Sequence, residues 1–580
     1  MLAVGIAAAL TRRRRRRQLE LPRGARPPTP PPDLDDLRAE IVMSADLDQA
    51  TRLHRALRDV ALALTERRSE TRPRVVQVTG QRIEVLLSQP VLPAPPPWRE
   101  EAAGAAWVLK VDPADADDDG PAPTPALVSI GRPDDETELY LDLEAEGVVA
   151  LTGDPSLVAD VARSWILELG TSPMAGGASI VVVGDGLRPP AGTSDRVVAV
   201  STWEEVADDA VAWVEQSAAL MAGNSWTTPL VGRMRSRQSD DLAPLIIFVE
   251  QVDEARFETL RAAILGGQVS VVLVVLAGDK VEGASRVELS GTMLTIPSLG
   301  LTCEAQAVPA ATIERVDDLL EDASRLPEQL SLIPRPPPTP PVTVGATTDE
   351  YQDPPFEILV RLLGDISVVG ASRSLKPKQV AVLAYVALHA PAASERVEDA
   401  VWVAPTASRR KRLANTVSET RRILGVANVP LATDGRYRVG PGLITDLDLF
   451  ERRILHAQGQ GDVAAVATLR GALELVDGPV FTYRNAERLS YVWVDVENWI
   501  SDWELRVADT AEDLAERCLN FGDTDGAVWA ARRGLSTCPT HASLTRLLMQ
   551  AHVAAGDDVA AKRVFESHQS VLEKLELDGT

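Results

Sequence analysis

The spacing of apolar residues changes character twice along the 580-residue chain. Between the first and third of three proline-rich stretches, β-branched apolar runs recur as "GVVALTG", "ASIVVVG", "RVVAV", "PLIIFVE" and "VSVVLVVLAG". They are continuous rather than alternating and are separated by helical stretches. This predicts strands buried on both faces in a parallel sheet with flanking helices. A helix over Leu47 to Arg67 and a hairpin in "VVQVTGQRIEVLL" precede them.

After the third spacer the pattern shortens. "FEILVRLLGDISVVGASRSL" reads as two short strands joined through Gly364 and Asp365. "KPKQVAVLAYVALHA" gathers Val380, Leu383, Ala384, Ala387 and Leu388 on one face of a first helix. "SERVEDAVW" gives a short second helix with Ser394 as its N-cap. In the third helix, "SRRKRLANTVSETRRILG", Leu413, Val417, Thr420 and Leu424 form one stripe at about 100° per residue. Lys411, Asn415, Ser418 and Arg422 form the opposite one. "ATDGRYRVG" follows as a hairpin with Asp434 and Gly435 at its tip. Strands, three helices and a hairpin predict a winged helix-turn-helix over 356–445.

The remainder, 446–580, reads as helical. "GD" recurs before alanine-rich helices at Gly461-Asp462, Gly522-Asp523 and Gly556-Asp557, the last two 34 residues apart. That is the tetratricopeptide period. Ala527 and Ala561 are the small residues that let paired helices approach, with a plain helical bundle as the alternative. Trp493, Trp499, Trp503 and Trp529 are expected to pack. The fold class is therefore multidomain α/β plus α. A leader (1–32), an α/β domain (33–330), a proline-rich linker (331–355), the winged helix and the helical domain follow one another.

Charge sharpens this picture. The chain carries −25 overall, which argues against general coating of nucleic acid. From Phe356 to Phe450, however, 13 lysines and arginines face 9 acids, a net of +4, leaving −29 on the other 485 residues. Six cations lie between Arg409 and Arg422. Short hydrogen-bonding side chains between cations suit base edges flanked by phosphates. Arg409, Arg410, Lys411, Arg412, Asn415, Ser418, Arg421 and Arg422 are thus the candidate DNA contacts. Arg436 and Arg438 alternate on the wing strand and can point the same way, toward a phosphate or minor groove. A basic amphipathic helix can also be a merely solvated face.

Other chemistry is sparse. Cys303, Cys518 and Cys538 have no paired spacing and the six histidines are scattered, so no disulfide framework, metal or cofactor is expected, and a reducing cytoplasm is the simplest compartment. The N-terminus "MLAVGIAAALTRRRRRRQLE" places about ten apolar residues before six arginines, too few to span a bilayer alone. Two readings stay open: the end of a spanning helix tethering the chain to the inner face of the membrane, or a basic leader.

"LTGDPSLVADVARSW" occupies the place of a P-loop, and "PLIIFVEQVDE" that of an acid-ended strand. This resembles the additional, degenerate P-loop domains of bacterial motor and secretion ATPases. Gly153 is followed by Asp154 and Pro155, without the lysine and second glycine a working loop needs. The domain reads as a relic for structure or protein contact, with Glu250 and Asp253 as ordinary strand-end acids and no enzymatic activity.

From Phe356 onward, "LKPKQVAVLAYVALHA", "SERVEDAVW", "NTVSETRRILG", "GRYRVG" and "DLDLFERRI" resemble the actinobacterial antibiotic-regulatory-protein family with its bacterial transcriptional activator domain. The resemblance covers about 225 residues and implies promoter binding on double-stranded DNA and activation through RNA polymerase. No receiver domain is evident. A DNA-binding regulator is the preferred reading. A tetratricopeptide adaptor whose winged helix docks protein is second, and an NTPase-driven switch third; a homodimer stays open.

Overall fold

A computed structural model describes every residue except 22, 24–30, 111–120, 185, 188, 191–192, 194–195, 237–241, 251–254, 267–268, 277–280, 326–350, 403–408 and 575–580. Most of the first proline-rich stretch, the third, the acidic insert 112–121 and Asp253 lie outside the described residues. The chain forms two compact units: Met1–Leu10 with Glu40–Asp322, and Thr11–Ala39 with Ala323–Thr580.

In the first unit, the helix Leu47–Glu66 starts where the Asp46 side chain accepts the Gln49 N–H, and it buries Leu53, Leu57, Val60 and Leu64. The strands are β1 (Pro73–Thr79), β2 (Arg82–Leu87), β3 (Arg99–Glu101), β4 (Ala106–Leu109), β5 (Leu127–Asp134), β6 (Thr137–Asp142) and β7 (Val148–Gly153). They continue with β8 (Ser179–Val183), β9 (Val197–Val200), β10 (Leu245–Glu250), β11 (Val271–Leu276), β12 (Ser285–Ser290), β13 (Met293–Ile296) and β14 (Leu301–Ala305). All join one sheet in the order β3-β4-β2-β1-β6-β5-β14-β13-β12-β7-β11-β10-β8-β9.

The run from β12 to β9 is parallel, as the continuous apolar runs predict. Alternate side chains enter two different cores. Ile246, Phe248, Val272 and Val274 pack with Val161 and Trp165 of the helix Pro155–Thr171, whereas Ile247, Leu273 and Val275 pack with Trp203, Val206 and Phe257. The hairpin expected in "VVQVTGQRIEVLL" is β1–β2, and the parallel sheet is extended beyond the expectation by further antiparallel pairs among β1–β6, β13 and β14. "GRPDDETE" runs from β5 into β6. Its exposed acids Asp134, Asp135 and Glu136 sit at the hairpin turn, where β5 leaves its buried stretch Leu127–Gly131.

The second unit starts from a small sheet. β15 (Ile358–Arg361) pairs antiparallel with β16 (Ser367–Val369) and parallel with β19 (Leu443–Thr445). Between them lie the helices Pro377–His389, Ser394–Val401 and Arg409–Leu424, and β17 (Ala392–Ala393) pairs with β18 (Arg436–Tyr437). The first helix buries more than the expected face: Leu383 and Ala384 are buried and Val380, Ala387 and Leu388 half-buried, while Ala381, Val382, Tyr385 and Val386 are inside as well. It is covered on a second side by residues of the C-terminal helices, and Trp493 meets Tyr385 edge-on with ring centroids 5.2 Å apart. Ser394 is not the cap of the second helix. Ala393 holds that position, and the Ser394 N–H bonds Gly435 O because the β17–β18 pairing brings that carbonyl close.

The helices Asp446–Gln458, Asp462–Glu474, Trp499–Asn520, Thr524–Thr537, Ala542–Ala554 and Asp558–Lys574 follow. Two of the "GD" pairs act alike. Gly522 and Gly556 adopt positive φ (75° and 78°), and the carboxylates of Asp523 and Asp557 accept the N–H groups of Gly526 and Ala560. At the third, Gly461 is itself the N-cap. Ala527 and Ala561 are buried, as are Trp493 and Trp503. Trp499 and Trp529 are half-buried. Asp446 fastens these helices to the small sheet by accepting the Leu362 and Leu363 N–H groups at 2.9 Å. Residues from both segments share one continuous core.

The leader from Thr11 onward also belongs here. Arg15 of the helix Leu2–Glu20 donates both terminal nitrogens to Glu504 at 2.6 Å, Arg23 pairs with Glu516 at 3.0 Å, and Arg38 donates to the Asn498 side chain at 2.9 Å. No helix of the described residues is long and apolar enough to cross a membrane.

Candidate nucleic-acid interface

The helix Arg409–Leu424 lies in this unit with its apolar stripe inward. Leu413, Val417, Thr420 and Leu424 are buried, and the Thr420 hydroxyl returns to Thr416 O at 2.8 Å. Arg410, Lys411, Arg412, Asn415, Ser418 and Arg422 are exposed. Positions 411, 415, 418 and 422 are spaced by three and four, so they form one row along the helix. Ala414, also exposed, keeps the row low beside Asn415. The Arg409 side chain lies outside the described residues.

Arg421 departs from the expectation of a phosphate contact. Its Nε donates to Val429 O at 2.8 Å and its Nη2 to Pro430 O at 3.0 Å. The helix ends at Gly425, with φ of 86°, and the chain turns back beneath it. That return brings two carbonyls without strand partners under the last turn, and the guanidinium satisfies them.

The hairpin supplies the second element. Asp434 and Gly435 both have positive φ (50° and 69°), the pair of left-handed residues that a tight two-residue turn demands. Arg436 and Arg438 are exposed, with half-buried Tyr437 between them. The Arg436 guanidinium reaches Pro391 O only at 3.5 Å, too far to hold it firmly. Burial, then Glu398, push the Tyr437 hydroxyl above its ordinary pKa, while Arg421 and Arg410 oppose them, so the hairpin lies within electrostatic reach of the basic helix.

Two cations outside the predicted set also belong to this surface. Lys376, before the first helix, ion-pairs with Glu419 of the basic helix at 3.1 Å, and Arg373 is exposed nearby in sequence. The signal for them was the net charge of the segment, which was assigned only to the third helix and wing. Lys378 is excluded, because its ammonium donates to Val401 O and the Ser490 hydroxyl, and burial lowers its pKa.

The P-loop-like turn of the first unit is a contrasting candidate for anion binding. Asp154 caps the helix Pro155–Thr171 through the Ser156 N–H (3.1 Å) and hydroxyl (2.9 Å), while its own N–H bonds Leu289 O. A Cβ on Gly153, whose φ is 113°, would lie 2.0 Å from that same carbonyl. The helix N-terminus therefore already holds a carboxylate of its own chain where an anion would sit. Glu250 ends β10 and is exposed.

Residues 445–579 match the family model of the bacterial transcriptional activator domain, so the chain carries that domain at its C-terminal end. The resemblance to that domain read from "DLDLFERRI" falls within the matched residues. No curated protein matches the chain. Among solved structures, Mycobacterium tuberculosis EmbR in complex with a low-affinity phosphopeptide is similar at 20% identity, over 37% of this chain and 60% of that one, with a TM-score of 0.29. The pCW3 conjugation coupling protein TcpA, in its monomer form with ATPgS, aligns at 9% identity over 42% of this chain and 90% of its own, with a TM-score of 0.28. A Pyrococcus horikoshii signal-transduction ATPase with a tetratricopeptide-repeat sensor, PH0952, aligns at 10% identity over 75% and 63%, with a TM-score of 0.14.

Proposed function

We propose that this chain, with a bacterial transcriptional activator domain at its C-terminal end, is a DNA-binding transcriptional regulator. Segment 356–445 acts as a winged helix-turn-helix. The helix Arg409–Leu424 enters the major groove, where Asn415 and Ser418 meet base edges. Arg410, Lys411, Arg412 and Arg422 meet phosphates, and Arg436 and Arg438 reach the flanking backbone or minor groove as the wing. Segment 446–580 acts as a tetratricopeptide-like array that engages RNA polymerase, the partner the family resemblance implies.

One observation carries this reading: the exposed row Lys411, Asn415, Ser418 and Arg422, flanked by Arg410 and Arg412, in a segment of +4 within a chain of −25. The closed turn at Gly153 supports a role without nucleotide hydrolysis for the α/β unit. The arginine-rich leader supports contact with the helical array rather than with a membrane.

The test is selection of fragments from a genomic pool by the full-length chain, followed by titration against a selected duplex and its scrambled counterpart at two salt concentrations. Tighter binding to the selected duplex, with a log–log salt dependence of several units, is expected. Equal affinity for both duplexes would leave a nonspecific clamp. No binding to either would return the segment to a protein-docking role.

A further inference from the structure

The basic helix carries one acid among its 16 residues, Glu419, and the fold singles it out. By helical geometry it lies about 40° round the axis from Asn415 and about 20° from Arg412, so it flanks the exposed row. Its Oε2 accepts from the Lys376 ammonium at 3.1 Å and from the Gln379 amide at 3.2 Å. Gln379 is 3% exposed, and its own oxygen accepts the Lys376 N–H at 2.8 Å, so the amide cannot turn over without losing both bonds. The Glu419 side chain is nonetheless 43% exposed, and among the described residues no donor reaches its Oε1.

Stability is a weak reason for this arrangement. Exposed ion pairs contribute little, and Lys376 is 74% exposed. The two helices already share one core through Leu383, Ala384, Leu413 and Val417. A carboxylate beside a row of cations also repels phosphates, which weakens binding to every sequence alike. It is useful there only if its open oxygen meets a donor. In the major groove the donors are the amino groups of adenine and cytosine. Adenine sets its N7 acceptor beside the amino group, where a carboxylate cannot satisfy it, whereas cytosine presents a donor alone.

We infer that Glu419 is a further base-reading residue, whose Oε1 accepts a hydrogen bond from the amino group of a cytosine in the major groove while Lys376 and Gln379 hold the carboxylate through Oε2. This rests on the DNA-binding reading above and gives it one named base. Lys376 also neutralises the acid against the neighbouring phosphates.

The two donors on Oε2 decide how an amide would sit in the same place. In Glu419→Gln the side-chain oxygen must face Lys376 and Gln379, which turns the NH₂ group to the position of Oε1. An acceptor becomes a donor. The preferred base should then change from cytosine to one that offers an acceptor, guanine or thymine.

The test is selection from a library of randomised duplexes by the full-length wild type, Glu419→Gln and Glu419→Ala in parallel, followed by titration of the enriched duplexes. The wild type should enrich cytosine at one position, with about a tenfold loss of affinity when that base is replaced. Glu419→Gln should enrich guanine or thymine there and Glu419→Ala no base, while the other positions keep their preferences in both. Glu419→Ala should also bind a scrambled duplex severalfold more tightly than the wild type. Glu419→Gln retains an oxygen for both donors, so its switch stays readable if Glu419→Ala fails to fold. The same profile in wild type and both variants would overturn the inference and leave reading by Asn415 and Ser418 intact, as would cytosine still enriched by Glu419→Gln. A wild type without base preference would overturn the DNA-reading function itself, and this inference with it.

Discussion

The second unit contains two runs of basic residues, Arg12–Arg17 in the leader and Arg409–Arg412 in the basic helix, and the fold treats them in opposite ways. In the leader, Arg17 is buried and Arg15 grips Glu504, a carboxylate whose side chain is 5% exposed and which burial pushes above its ordinary pKa against the pull of Arg15. In the basic helix, Arg410, Lys411 and Arg412 are exposed. A count of cations therefore does not name their partner. What decides it is the acids that folding brings alongside. The long helix Trp499–Asn520 carries Glu504, Asp509, Glu512, Asp513 and Glu516 toward the leader, whereas the basic helix's own acid, Glu419, is shared with Lys376 and Gln379.

The comparison breaks most sharply at Arg15. Arg15→Ala leaves Glu504 buried without its counter-charge and should cost about 3 kcal/mol in a denaturant titration, with the salt dependence of DNA binding unchanged. Because the folded-state pKa of Glu504 lies above its unfolded value, folding takes up a proton there as pH falls, so the loss should shrink at acid pH. The opposite signature is expected of Lys411→Gln, Arg412→Gln and Arg422→Gln combined. Thermal stability should hold while the slope of log affinity against log salt falls by nearly three units.

A finer division separates reading from positioning on the same helix. Asn415→Ala should cost roughly 1–3 kcal/mol on a selected duplex and little on a scrambled one; equal losses would make Asn415 a positioning contact. Arg421→Ala should behave like the leader arginine in miniature. It removes the donor to Val429 O and Pro430 O, both partly buried, and should lower stability by about 1 kcal/mol with a smaller effect on DNA affinity than Lys411→Ala. The smallest effect concerns His389. Burial disfavours its charged ring, but the Glu497 carboxylate at 2.6 Å outweighs this and raises its pKa. The pair's contribution is thus fully present below the ordinary histidine pKa and lost as pH rises through the higher folded value. The Tm of the wild type should fall from pH 6 to pH 8 by more than that of His389→Gln.

The parallel strands were legible because a strand buried on both faces must be apolar at every position, as "VSVVLVVLAG" is. The antiparallel additions were not. β14 shows one buried residue, Cys303, among partly exposed neighbours, and so short an alternation resembles a loop. The basic helix was legible as an amphipathic element, since its two stripes follow directly from helical geometry. The bonds of Arg421 to Val429 O and Pro430 O were not legible, because a loop carbonyl is invisible to a helical wheel. The partner of the leader was not legible, because Glu504 lies 489 residues away.

Asp446 has a mechanical consequence. Burial pushes its carboxyl up to about 6 while three bonds from the Leu362 and Leu363 N–H groups hold it in place. It acts as a bolt between the helix Asp446–Gln458 and the end of β15, the central strand of the small sheet. A load that tilts that helix, such as a docking protein, must either drag the sheet and the helices resting on it or shear the bolt. Torque applied to the helical array thus reaches the basic helix as a rotation of the whole assembly, with little slack between them.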